Sequence, residues 1–132
     1  MPRSAMTKYV AIFETLRQEI LGGKFAALKR LFAGKRRPDA IVCRNDALAA
    51  RLIRELADLR IDIPRSVKVA GFDDATSART LTPPLTSIRQ PVARIAEAAT
   101  QALLDRIRRP ETPPKSILFD ADLICRASTV GQ

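Results

Sequence analysis

Histidine is absent from all 132 residues. That removes the usual general base and the commonest metal ligand together. Carboxylate catalysis stays open, but catalysis as a whole becomes a weaker reading. There are only two cysteines, Cys43 and Cys125. Each sits in an apolar, strand-like stretch, so both are expected to be buried, reduced thiols, as in a cytosol. No apolar run approaches the ~20 residues that a membrane span needs. The N-terminus carries charges and no apolar h-region, so no secretory signal is expected and a cytoplasmic location is. The sequence has no glycine-rich phosphate cradle, no internal repeat and no low-complexity tract. What remains fits one folded domain with a modest core, at 46% hydrophobic residues.

The net charge of +9 is unevenly spread. Residues 1–38 hold nine Lys/Arg against two Glu, a net +7, whereas residues 39–132 hold fourteen against twelve, a net +2. A basic head on a nearly neutral body suits contact with a phosphate backbone. A solvated basic surface accounts for it equally well.

Apolar spacing divides the chain into elements. Tyr9, Ile12, Phe13, Leu16 and Ile20 predict an amphipathic helix over 7–22, stopped by Gly22-Gly23. A second helix over about 25–33 has Leu28, Leu31 and Phe32 on one face and ends at Gly34. Ala40-Ile41-Val42-Cys43 is a continuous apolar run, the pattern of a strand buried on both faces of a parallel sheet. Asn45 or Asp46 then caps a helix over 47–59, with Leu48, Leu52, Ile53, Leu56 and Leu59 as its stripe. Val67 to Ala70 is the next strand, closed by Gly71. Strand, helix and strand make one βαβ unit. Thr80 to Pro84 reads as a turn, Thr86 to Arg89 as a short extended piece, and Pro91 as the start of a helix to about Arg108. That helix is expected to turn Val92, Ile95, Ala99, Ala102, Leu103 and Ile107 inward. Residues 116–125 are strand-like.

Open α/β sheets bind ligands at the carboxyl ends of their strands. Arg44-Asn45-Asp46 follows the first strand, and Asp73-Asp74 follows the second. On neighbouring strands, Asn45 and Asp73 face one crevice. An amide that both donates and accepts, beside a carboxylate that accepts hydroxyl protons, suits a polyhydroxylated ligand such as a sugar. On the other reading these residues only cap a helix and shape a turn. A third reading makes Asp46, Asp73 and Asp74 the ligands of a divalent cation in an enzyme, although no catalytic partner follows them.

Three stretches in order carry a resemblance. They are Pro38-Asp39-Ala40-Ile41-Val42-Cys43-Arg44-Asn45-Asp46-Ala47, then Ile63 to Asp74 ending in Gly71-Phe72-Asp73-Asp74, then Leu81-Thr82-Pro83-Pro84-Leu85-Thr86-Ser87-Ile88-Arg89-Gln90-Pro91. Residues 26–129 resemble the late part of the effector domain of lactose-repressor-type (LacI/GalR) transcriptional regulators. The resemblance implies an α/β fold, a partial and truncated type I periplasmic-binding-protein-like fold with a parallel sheet and flanking helices. In the complete family two lobes close on an effector, and closure alters operator affinity. It places Asn45, Asp73 and Gln90 at the ligand, with Gln90 near the crossover between lobes. It gives the helix at 47–59 to a homodimer interface through Leu48, Arg51, Leu52 and Glu55, although a core-facing stripe explains the leucines equally well. No metal, cofactor or catalytic residue is implied.

The chain departs from that family in three ways. It is too short to hold the first lobe and the early half of the second. Arg60 stands where the family has glycine after the helix, which predicts a locally altered loop. The N-terminal segment, with Lys8-Tyr9, Ile12, Leu16, Ile20 and Gly23-Lys24-Phe25, resembles instead the first helix of a gluconate-repressor-type (GntR) winged-helix domain. Residues 1–25 therefore read as a remnant DNA-binding head and 26–132 as an effector segment. No complete element for entering a DNA groove remains. The leading expectation is a truncated, sugar-sensing, dimerising piece of a repressor-type regulator. The alternative is a periplasmic-type sugar-binding protein without a DNA role.

Overall fold

A computed structural model describes residues 26–34 and 37–130. In chain order the elements are α1 (Ala26–Ala33), β1 (Ala40–Val42), α2 (Asp46–Asp58), β2 (Lys68–Phe72), α3 (Thr76–Thr80), β3 (Thr86–Arg89), α4 (Val92–Arg108) and β4 (Asp122–Ile124). The expected helix over 7–22 and the expected head over 1–25 lie outside the described residues. No helix among the described residues is long and apolar enough to cross a membrane.

The sheet runs β1-β2-β3-β4. The first two pairings are parallel, with Val42 opposite Ala70 and Gly71 opposite Ser87. β1 is an edge strand, however, and Val42 is 74% exposed, so the expected burial of Ala40 to Cys43 on both faces is corrected. The last is antiparallel, with Ser87 opposite Ile124, so the sheet is mixed. Only three residues of the expected strand over 116–125 pair. Within the rest of that stretch, Ile117 and Leu118 are exposed. β2 does not stop at Gly71 but continues through Phe72. Gly71 is required for a different reason: a Cβ there would overlap the Asp46 carboxylate and a methyl of Leu85.

One side of the sheet carries the core. Leu28 and Phe32 of α1, Ala49, Leu52, Ile53 and Leu56 of α2, Val67, Val69, Ala78 and Leu85 are all buried. The stripes read for α1 and α2 are thus the buried faces, because a period of 3.6 puts those residues on one side of a helix. The stripe read for α4 is not. No residue of α4 is buried, and Val92, Leu103 and Ile107 are 64%, 61% and 67% exposed. The amphipathic period is real, but the described chain brings no layer against it. Its one described ring contact sets the Arg94 guanidinium 5.5 Å from the Phe119 ring centre.

α2 ends in a Schellman turn. The Ile61 N–H donates to Leu56 O and the Arg60 N–H to Ala57 O, the paired 6→1 and 5→2 bonds of that motif. Arg60 takes φ 55°. The loop therefore keeps the left-handed geometry that glycine would adopt, against the expectation of an altered loop. Packing of Leu56 and Ile61 against the core holds it there despite the Cβ.

Two carboxylates tie the strand tips together. Asp46, 1% exposed, accepts from the Ala75 N–H at 2.7 Å and the Ser87 hydroxyl at 2.6 Å. Asp74, with a side chain 2% exposed, accepts from Arg89 and Arg126, with Arg79 at 3.9 Å. Arg126 also donates to Leu85 O. Ser128 donates to Val69 O and accepts from the Thr86 N–H. The C-terminal strap is thereby stitched across β2 and β3. Burial raises the Asp74 carboxyl pKa, but hydrogen bonds and charge from Arg126 and Arg89 outweigh it and hold the group below its ordinary value.

Two outcomes follow. Arg60→Gly removes the left-handed penalty, and urea unfolding should show a gain of about 1 kcal/mol. A depressed carboxyl stabilises above its unfolded pKa and loses that contribution as pH falls through the folded one. The stability gap between the parent and Asp74→Asn should therefore be widest at neutral pH and close below about pH 4. A gap unchanged with pH would remove Asp74 from the acid response.

Candidate functional site

The tips of β1 and β2 lie side by side at the C-terminal edge of the sheet. Val42 pairs with Ala70, and the Cys43 N–H extends the ladder to Ala70 O at 2.8 Å. Asn45 and Asp73 each come three residues beyond that paired position, so parallel register carries both to the same edge. The two polar clusters that the sequence singled out are therefore adjacent.

Asn45 is the N-cap of α2. Its Oδ1 accepts from the Leu48 N–H at 3.0 Å, with the backbone extended at φ −154° and ψ 169°. Capping accounts for the amide oxygen and leaves the amide NH2 as a donor at the strand tip. The cap reading of Asn45 holds, and capping leaves its NH2 uncommitted by that bond.

Asp73 is exposed. Its Oδ1 accepts from the Gln90 Nε2 at 2.9 Å. This brings together two of the three expected ligand residues, 17 positions apart in sequence. Asp73 sits at φ 103° and Asp74 at φ 48°. An aspartate at φ 103° lies outside the usual left-handed well, and such backbone persists only where its surroundings over-determine it. Those surroundings are the Asp73 N–H on Ile88 O at 2.9 Å, the Asp74 N–H on Ser87 Oγ at 3.0 Å, and the arginine grip on Asp74. The turn holds the Asp73 carboxylate out while turning that of Asp74 in.

Asp46, Asp73 and Asp74 do not converge on a common point for a cation. Asp46 is engaged by Ser87 and Ala75, and Asp74 by arginines. Among the described residues no group of His, Cys, Asp and Glu is placed to hold a metal ion. The metal-enzyme reading has no site here.

Ser87, Arg89 and Arg126 went unmarked in the sequence. Their one available signal was that a mid-chain Asp-Asp pair at a strand tip requires donors. Nothing in the local pattern says which strand supplies them.

The residues read as an interface divide. Leu52 is buried in this chain's own core, 4% exposed. It is corrected from interface to core, since a core side chain has no surface to offer a second copy. Leu48 and Glu55 are half-buried and Arg51 is exposed. The cysteines divide as well. Both are free thiols. Cys43 is half-buried, and burial, then the charge of Asp46, pushes its thiol up to about 12. Cys125, expected to be buried, is exposed because it follows the edge strand β4.

Comparison with known proteins follows the same lines. The chain matches the sequence profile of the periplasmic binding protein-like domain over residues 5–129. It is 38% identical over 92 residues to the HTH-type transcriptional regulator MalR of Streptomyces coelicolor, covering 70% of this chain and 27% of the regulator. It is 33% identical over 106 residues to the ribose operon repressor of Escherichia coli, covering 80% and 32%. Among solved structures it superposes on the transcriptional regulator CelR in complex with cellobiose. The TM-score is 0.64 at 31% identity, covering 68% of this chain and 28% of that one. The chain thus spans about a third or less of the length of each of these relatives. With the mixed sheet, the Asn45-Asp46 cap and the Asp73-Asp74 turn in place, the chain belongs to the periplasmic binding protein-like domain family, in the form of a LacI/GalR-type effector domain.

Proposed function

We propose that this chain is the effector-sensing segment of a repressor-type transcriptional regulator, and that it takes a sugar-like, polyhydroxylated molecule at the tips of β1 and β2. One observation carries this reading: an exposed carboxylate, Asp73, already bonded to Gln90 and held in a strained turn at the same sheet edge as Asn45. A carboxylate accepts from two vicinal hydroxyls, the Gln90 amide both donates and accepts, and the Asn45 NH2 donates to a hydroxyl oxygen. Strain held in place before binding is the mark of a preorganised site. The cellobiose complex of the similar regulator CelR supports sugar as the ligand class. The relatives reported above are regulators, and this reading assigns the chain no catalytic step, metal or cofactor.

Two partners complete the proposal. A second copy pairs along the outer side of α2, through Leu48, Arg51 and Glu55. DNA is contacted through the basic N-terminal head, residues 1–38, which carries +7 of the net +9 and where phosphate contact would be salt-sensitive and sequence-independent.

Calorimetry against ribose, glucose and cellobiose tests the sensing role. The parent chain should bind at least one of them, and Asp73→Ala should weaken binding about tenfold to a hundredfold, the value of hydrogen bonds to a charged group. Asn45→Ser keeps a good cap, so stability should stay within about 0.5 kcal/mol while affinity falls. A parent chain that binds none of the panel sinks the reading. For the pairing face, sedimentation should show a concentration-dependent dimer that Arg51→Glu weakens. A monomer at all concentrations would remove that partner.

A further inference from the structure

Ser87 lies on β3, opposite Gly71 of β2, and is fully buried. Its hydroxyl does two things at once. It donates to Asp46 Oδ1 at 2.6 Å and accepts from the Asp74 N–H at 3.0 Å. Asp46 is the chain neighbour of Asn45, and Asp74 that of Asp73. A single oxygen atom therefore joins the two strand tips, at the residues next to those assigned to the ligand. The approach is open only because Gly71 has no Cβ to meet the Asp46 carboxylate.

We propose that Ser87 is a positioning residue for the effector site: its hydroxyl sets the Asn45 tip against the Asp73 turn and so keeps Asp73 and Gln90 in their binding geometry. This rests on the sugar-site reading above. The strain at Asp73 identifies what the hydroxyl does. At φ 103° that residue gains by rotating back to an ordinary conformation, and the Asp74 N–H on Ser87 is one of the bonds that prevents it. A hydroxyl is the smallest side-chain group that donates and accepts together. Alanine supplies neither bond, leaving a buried carboxylate oxygen and a part-buried N–H without that partner. The relay also gives Asp46 a positioning part, because it carries any shift of the α2 N-terminus into the turn.

The test uses the full chain labelled with 15N, without ligand. In Ser87→Ala the backbone amide of Asp73 and the side-chain amides of Gln90 and Asn45 should move together, while Ser87→Thr, which keeps the hydroxyl, stays near the parent. A folded Ser87→Ala protein with all three signals unmoved overturns the proposal. If Ser87→Ala does not fold, Asp46→Ala removes the acceptor at the relay's other end and is held to the same three signals. In calorimetry with ribose, glucose and cellobiose, Ser87→Ala should lose about tenfold in affinity, the measure of one lost hydrogen bond, and Ser87→Thr should recover most of it. Equal binding by Ser87→Ala and the parent counts against the proposal. A parent that binds no sugar sinks the sugar reading, and the ligand-free resonances still decide the role of Ser87.

Discussion

A carboxylate taken out of water is costly by several kcal/mol unless donors meet it. Asp46 is such a group, and the rest of the sheet edge is arranged around it. The Ala75 N–H and the Ser87 hydroxyl satisfy its two oxygens. To do so they must come from the segment after β2 and from β3, so the bonds fix where both lie relative to α2. Gly71 is the complementary constraint, because its missing side chain is the space the carboxylate enters. Loss of either element would leave a buried charge unpaired or a Cβ overlapping it. Strand order, the cap of α2 and the exposed Asp73 are thus coupled through one acid group.

A second acid group does similar work with opposite chemistry. Asp74 is met by guanidinium groups rather than neutral donors, and these come from β3 and from the C-terminal strap. Two adjacent aspartates, identical in sequence terms, therefore have different fates: Asp74 is turned inward as a structural anion, and Asp73 outward toward solvent and Gln90. The pair of positive φ values is the backbone price of that divergence.

Periodicity made much of the fold legible. The stripes of α1 and α2, the parallel pairing of β1 with β2 and the cap at Asn45 follow from local spacing, whereas β1, expected to be buried on both faces, is an edge strand with Val42 exposed. α4 shows the limit. Its apolar face is as regular as that of α2, yet nothing among the described residues covers it, and spacing says which side is apolar without saying what lies against it. The short helix α3 was hidden in a stretch without an apolar repeat, its N-cap residue Ala75 held by Asp46 from 29 residues upstream. For the site, the sequence pointed to Asn45, Asp73 and Gln90 but not to Ser87, Arg89 or Arg126. Those three act across strands, and cross-strand partners leave no local pattern. Leu52 could be read to either side of α2, because a leucine stripe looks alike whether it faces a core or a second copy, and burial settles it as core.

The contrast between the two thiols has a practical corollary. Only thiolate reacts readily with electrophiles. Cys43, pushed up to about 12, carries almost none at neutral pH, whereas Cys125 is exposed. A maleimide or nitroxide reagent should therefore attach at one place without any mutation. That place is the residue next to Arg126, whose guanidinium grips Asp74 beneath the strand-tip turn. The native chain thus comes with a built-in attachment point for a fluorescent or paramagnetic reporter, positioned where a change in the turn would be felt.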